Sequence, residues 1–284
     1  MATECIAAIA ALRERVSRAK LAGLRVGCVP TMGALHAGHT ALFDRARPDC
    51  DLLVATLFVN PLQFDRQDDL RKYPRGLESD LQICDRHGVD VVFAPSQDEM
   101  YPRPPVMTVE IEGLADGLCG ASRPGHFLGV ATVVMKLLNI VQPDFACFGE
   151  KDYQQLVIVR RIVEDANLPV RIVGVETVRE PDGLAISSRN AHLNADERAS
   201  APALARSLRA ARQAIQQGES CAAVLRDNAG AVLDREPLIR LDYFEIVDPD
   251  TLKPVERVTG PVRIAAAAFL GKTRLIDNVL ATPS

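Results

Sequence analysis

The sequence lacks a long apolar run. No basic lead precedes Ile6–Ile9, and Arg13, Glu14 and Arg15 cut that apolar start short, so neither a signal peptide nor a spanning helix is expected and the chain reads as cytoplasmic. Basic charge is not in excess either. With 33 Lys and Arg against 37 Asp and Glu, the formal charge of −4 excludes a general nucleic-acid footprint and confines positive potential to a local site. Paired cysteines are also missing. The seven cysteines stand singly without a C-x-x-C spacing, which argues against a disulfide framework or a structural zinc site and for reduced thiols. Cys28 and Cys147 lie in apolar, strand-like runs, where a thiol behaves as a small buried hydrophobe. Internal repeats and low-complexity segments are absent.

What is present is alternation. The strand-like Leu52–Val59, the amphipathic Leu77–His87 and the strand-like Val89–Phe93 are followed by Ala131–Val141, Phe145–Phe148, Leu156–Ala166 and Val170–Val175. This order predicts an α/β fold, a Rossmann-like doubly wound parallel sheet. Ligands of such sheets collect beyond the carboxyl ends of the strands, where His39, Gln63 and Lys151 fall. The 284 residues suffice for one large or two ordinary domains. After Val178 the turn Glu180-Pro181-Asp182-Gly183 marks a boundary, giving domains 1–178 and 179–284. Asn194 with Glu197 predicts a helix cap, and Leu204, Leu208, Ala211 and Ile215 recur at helical spacing. Asp242–Val247 and Val262–Ala266 read as strands, so the second domain is expected to be a smaller α+β lid.

The most informative stretch is Pro30-Thr31-Met32-Gly33-Ala34-Leu35-His36-Ala37-Gly38-His39. Leu24–Cys28 reads as a strand that Pro30 ends, and Ala41, Leu42, Phe43 and Ala46 predict a helix beginning near Gly38. The first N–H groups of that helix, with roughly half a unit of positive dipole charge, form an anion site. His36 and His39, three residues apart, share one side of the turn and can donate to phosphates and to charge developing on a leaving group. Satisfied structural histidines are the plainer alternative. A metal pair lacks a third ligand nearby.

Three further groups carry possible chemistry. Gly149-Glu150-Lys151-Asp152 follows a strand and opens a helix, placing Lys151 for phosphates and Asp152 for a cap, although a surface lysine at a helix start would look the same. Ser187-Ser188-Arg189 joins two hydroxyls to a guanidinium, a set suited to phosphate oxygens or to an ordinary polar turn. Gln63 and Gln155 offer uncharged amides, which can orient a carboxylate without quenching its nucleophilicity, although two surface glutamines would look the same. Arg123 and His126 add donors in a Pro-Gly turn with no role assigned. Asp80 is a candidate for placing Mg²⁺, or a dipole partner at a helix start as Glu78 is. Gly271-Lys272-Thr273 is not a phosphate-binding P-loop, because Ala266 stands where that motif needs glycine.

Together with Phe58-Val59-Asn60-Pro61-Leu62-Gln63-Phe64, Tyr73-Pro74-Arg75, Arg123-Pro124-Gly125-His126-Phe127, Phe148-Gly149-Glu150-Lys151-Asp152-Tyr153-Gln154-Gln155 and Ile186-Ser187-Ser188-Arg189-Asn190, the histidine stretch resembles the HxGH nucleotidylyl-transferase superfamily. In content, order and spacing over nearly the whole chain it is similar to the pantothenate synthetase family within it. That resemblance implies an ATP-dependent, AMP-forming ligase that joins pantoate to β-alanine through a pantoyl adenylate. It implies ATP contacts at Met32, Gly33, Ala34, Leu35, His36, Ala37, Gly38, His39, Gly149, Glu150, Lys151, Asp152, Val178, Ile186, Ser187, Ser188 and Arg189. His36, His39, Lys151, Ser187, Ser188 and Arg189 would be catalytic. Gln63 and Gln155 would bind pantoate, Gln63 lying also near β-alanine. Mg²⁺ and a homodimer are implied as well. The alternatives are a nucleotidylyl transferase whose product keeps the adenylate, and a catalytically silent nucleotide-binding protein on the same fold.

Overall fold

The computed structural model describes residues 2–64, 70–71 and 73–284. These fall into two units, each with its own core. The first comprises residues 1–111, 123–150 and 155–176; the second comprises residues 112–122, 151–154 and 177–284.

The first unit is built on a six-stranded sheet, parallel in every pairing. Its strands are β1 (Glu4–Ile6), β2 (Val26–Thr31), β3 (Leu52–Leu57), β4 (Val91–Phe93), β5 (Phe145–Gly149) and β6 (Arg171–Val175), in the order β1-β4-β3-β2-β5-β6. Strands β2, β3 and β4 are buried almost throughout because helices must cover both faces of a parallel sheet, and their near-continuous apolar sequences follow from that. The helices are α1 (Ile9–Leu21), α2 (Ala37–Ala46), α3 (Leu77–Arg86), α4 (Gln97–Met100) and, after α5 of the second unit (Leu118–Ser122), α6 (His126–Val141) and α7 (Tyr153–Asp165). Leu42, Phe43 and Ala46 of α2 pack on Val29, Leu53 and Phe145. The strand order reverses between β2 and β5, so this is the switch point, the place where such sheets commonly bind ligands.

Two local details differ from expectation. Pro30 lies within β2, paired with Thr56, instead of ending the strand. Strand β2 meets β3 over its full length but β5 only at Gly27 and Cys28, so the proline sits where one flank is no longer laddered. The short β1, with no alternation to betray it, forms an edge beside β4.

The second unit has an antiparallel sheet of β7 (Ile239–Val247), β8 (Val262–Leu270) and β9 (Thr273–Ala281), with β8 central. Alternate residues Ile264, Ala266, Ala268 and Leu270 of β8 join one core with Leu204, Leu208, Ala211 and Ile215. Those four belong to α9 (Pro202–Gln216), which packs beside α10 (Ala222–Leu233). Asn194 caps α8 (Ala195–Ser200) in a reciprocal capping box with Glu197. Pro202 occupies the first turn of α9, so two helices stand where the periodicity alone suggests one. Gly271 takes φ 55° between β8 and β9, making Gly271-Lys272 a hairpin turn. No helix among the described residues is long and apolar enough to cross a membrane.

Candidate active site

The turn after β2 is held from within. Gly33 and Ala34 both have left-handed backbones, φ 79° and 53°, turning the chain sharply between strand and helix. Gly33 N–H donates to Thr31 Oγ1 at 3.2 Å. The next two N–H groups, of Ala34 and Leu35, donate to the two oxygens of Asp80 at 3.0 and 2.9 Å. Asp80 is 4% exposed and lies in the first turn of α3. His36 is the N-cap of α2, its Nδ1 accepting from Gly38 N–H at 3.1 Å, while His39 Nδ1 accepts from His36 N–H at 3.3 Å. The two rings lie 4.1 Å apart, centroid to centroid.

This changes which donors the turn offers. The helix begins at Ala37, and the amides of His36 and Gly38 are bound by the imidazoles, whereas His39 N–H bonds His36 O at 2.7 Å. Because each Nδ1 accepts an N–H bond, a single ring proton on either imidazole lies on Nε2. The sequence leads one to expect an anion site of free backbone amides here; in the structure the amides of His36 and Gly38 are taken up by the two imidazoles, which lie at the positive end of α2.

Gln63, 8% exposed, closes a short helical turn at Pro61–Gln63 after β3. Its Oε1 accepts from Asn60 Nδ2 at 3.2 Å, and its Nε2 reaches Met32 Sδ at 3.1 Å. A thioether is a weak acceptor, one that a carboxylate readily replaces. Asn60 is wholly buried, donates also to Gly129 O at 3.0 Å and accepts from Tyr101 OH at 3.0 Å. The structure also gives roles to Arg123 and His126. His126 Nδ1–H donates to Gln63 O at 2.8 Å, and Arg123 reaches the same carbonyl at 3.3 Å and His126 Nε2 at 3.0 Å. Both therefore fix the backbone of Gln63. Asn60 as the anchor of this group is the residue that sequence reasoning missed, and the Asn-Pro pair, a common turn opener, is the signal that could have found it.

In the second unit, Lys151 sits half-buried in the short turn Glu150–Asp152 between β5 and α7, with Nζ 3.9 Å from Asp152. Val178 O accepts from Ile186 N–H at 3.0 Å, closing a small hairpin that delivers Ser187. Ser187 Oγ accepts from Arg189 N–H at 3.2 Å, so Ser188–His192 is a capped helical turn rather than an open loop. Lys151, Ser187 and Arg189 line one pocket of this unit, together with Asn190 and Asp277. The neighbouring glutamines of α7 differ in their bonding. Gln154 is buried and saturated, accepting from Cys119 N–H and donating to Leu114 O and Gly117 O, whereas Gln155 is half-buried and outside that network.

Among the described residues no three His, Cys, Asp or Glu side chains gather closely enough to hold a metal ion. Each Asp80 oxygen retains further lone-pair capacity beyond its one N–H bond. Mg²⁺ is usually bound through one or two carboxylates plus substrate phosphates, and Asp80 supplies a single carboxylate. The seven cysteines are free; burial pushes the Cys147 thiol up to about 11 and Cys84 up to about 12, which keeps both inert.

A six-stranded parallel sheet whose switch point carries a helix capped by His36 defines a doubly wound α/β protein. The sequence model of the Pantoate-beta-alanine ligase family matches residues 4–280. The pantothenate synthetase of Moorella thermoacetica is 50% identical over 277 residues, 98% of each chain. The crystal structure of pantothenate synthetase from Thermus thermophilus superposes with TM-score 0.92 at 47% identity, covering 98% of this chain and 99% of that one. The pantoate-beta-alanine ligase of Francisella tularensis, solved with beta-gamma ATP and beta-alanine, gives 0.82 at 33% identity over 98% of both chains. The chain belongs to the pantoate-beta-alanine ligase family.

Proposed function

We propose that this chain condenses (R)-pantoate with β-alanine, consuming ATP and releasing AMP and pyrophosphate. The observation that carries the reading is the paired imidazole turn at the switch point, in a chain matched over residues 4–280 by the ligase family. In the first step the pantoate carboxylate attacks the α-phosphorus in line, and the bond to the bridging oxygen breaks to release pyrophosphate. His36 and His39 donate Nε2–H to the phosphates, and Lys151, Ser187, Ser188 and Arg189 stabilise the charge gathering on them. In the second step the β-alanine amine attacks the acyl carbon; AMP leaves, and the amine loses its proton to solvent.

Gln63 and Gln155 hold the pantoate carboxylate without an ion pair, which preserves its nucleophilicity. Gln63 suits this because its amide is already oriented by Asn60 and gives up only a thioether contact. The ATP-binding set extends over Met32–His39, Gly149–Asp152, Val178, Ile186 and Ser187–Arg189. Asp80 is the carboxylate the chain would offer Mg²⁺, which when bound would offset phosphate charge. Residues 1–178 as ATP- and pantoate-binding domain and 179–284 as lid domain are the functional division that accompanies this reading, as is a cytoplasmic homodimer.

Oxygen transfer tests the proposal. Pantoate labelled with ¹⁸O in its carboxylate should yield AMP carrying one labelled oxygen, because that oxygen becomes the acyl–phosphate bridge. Label-free AMP, or ADP as the product, would exclude an acyl adenylate.

A further inference from the structure

The strand β9 carries two adjacent buried polar residues, Asp277 and Asn278, at 4% and 5% exposure. Burying such groups costs stability unless they are fully bonded, so their partners indicate what they are for. Asp277 takes Arg179 in a two-pronged grip, Oδ2 from Nη1 at 2.6 Å and Oδ1 from Nη2 at 2.9 Å. The same guanidinium donates to Gly183 O at 3.0 Å and to Asn278 O at 3.4 Å. Arg179 and Ala185 face each other across the hairpin that leads into Ser187, and Asn190 Nδ2 donates back to Ala185 O at 3.1 Å. Asp277 thus clamps the base of the Ser187–Arg189 turn.

Asn278 performs the matching task for the other phosphate-binding segment. Its Nδ2 donates to Lys151 O at 2.9 Å, and its Oδ1 accepts from Arg263 Nη1 at 3.0 Å. Arg263 is held in turn over the ring of Tyr153, 3.7 Å from the centroid. Two consecutive residues of one strand therefore fix the backbone positions of Lys151 and of Ser187–Arg189, segments far apart in sequence.

Charge supports the same arrangement. Asp277 borders the pocket that Lys151, Ser187 and Arg189 line, where an unpaired carboxylate would repel phosphate. Arg179 neutralises it, and a planar guanidinium is the group that does so with fixed geometry.

We infer that Asp277 and Asn278, with Arg179, are positioning residues for the phosphates of ATP: they set the spacing of Lys151 against Ser187–Arg189 without touching substrate themselves. The inference rests on the function proposed above. A displacement of about 1 Å in such a group can cost on the order of 100-fold in rate.

The test uses the full chain with Asn278→Ala and Arg179→Lys, measuring pyrophosphate release against ATP and, separately, pantoate binding by calorimetry. Asn278→Ala should raise KM for ATP and lower kcat, together reducing kcat/KM for ATP by roughly 10- to 100-fold. Pantoate affinity should stay within about twofold, since its proposed contacts Gln63 and Gln155 lie in the first unit. Arg179→Lys keeps the charge but gives up the two-pronged grip, so it should show an intermediate loss and decide the matter if Asn278→Ala does not fold. Folded variants with unchanged ATP dependence would overturn the inference, as would ATP and pantoate affinity falling together. An unsubstituted protein that releases no pyrophosphate from Mg-ATP and pantoate would instead overturn the function itself.

Discussion

Asn60 touches no proposed substrate, yet it determines what Gln63 can do. Its amide fixes the Gln63 side chain so that Nε2 faces Met32 and Oε1 is occupied, and Tyr101 and Gly129 fix Asn60 in turn. Replacing it leaves buried polar groups unsatisfied, at about 1–3 kcal/mol. Asn60→Ala should therefore weaken pantoate binding about tenfold or more while the ATP dependence changes little, by calorimetric titration of each ligand. Tyr101 makes the same network pH-sensitive, because burial pushes its phenol up to about 12. A phenol with a raised folded-state pKa contributes its stability fully below the unfolded value of about 10 and loses it as pH rises towards the folded value. Tyr101→Phe should thus flatten the stability profile between about pH 10 and 12, read from denaturant midpoints against the unsubstituted chain.

At the scale of elements, α6 approaches the Pro61–Gln63 turn closely enough that a Cβ on Gly129 would collide with the Leu62 carbonyl and the Gln63 amide. An alanine in a helix interior normally gains about 1 kcal/mol over glycine. Here the collision is with backbone, which cannot swing aside, so overpacking of about 1–3 kcal/mol should win. Gly129→Ala is expected to lower the melting temperature and to weaken pantoate binding by shifting Gln63. A variant as stable as the original would mean that the turn yields freely. The same scale explains the capped turn after β2, where Asp80 of α3 bonds Ala34 and Leu35 while the histidines bond the amides of His36 and Gly38, so the turn is held by four side-chain bonds.

For the molecule as a whole, the features legible in the sequence were local. The strand–turn–helix around His36 and His39, the Lys151 turn and the capped Ser187–Arg189 turn are each held by bonds within a few residues, and alternation of apolar runs marks the parallel sheet. The features that were not legible depend on distant partners. Nothing near Ala34 announces Asp80, 46 residues away, and the Asn60-Pro61 pair signals a turn but not the distant partners Tyr101 and Gly129 that bury Asn60. Strand β9 escaped notice because Asp277 and Asn278 break an apolar strand pattern, and they are there for partners at Arg179 and Lys151. Pro30 read as a strand end because pairing on one flank only cannot be seen in sequence. The chemistry unites these scales, and the most direct test of it is steady-state release of AMP and pyrophosphate from Mg-ATP and pantoate, with and without β-alanine. An acyl-adenylate ligase should sustain release of both only when the amine is present. Pyrophosphate release that continues unchanged without β-alanine, with an adenylylated product accumulating, would contradict that chemistry and identify a nucleotidylyl transferase.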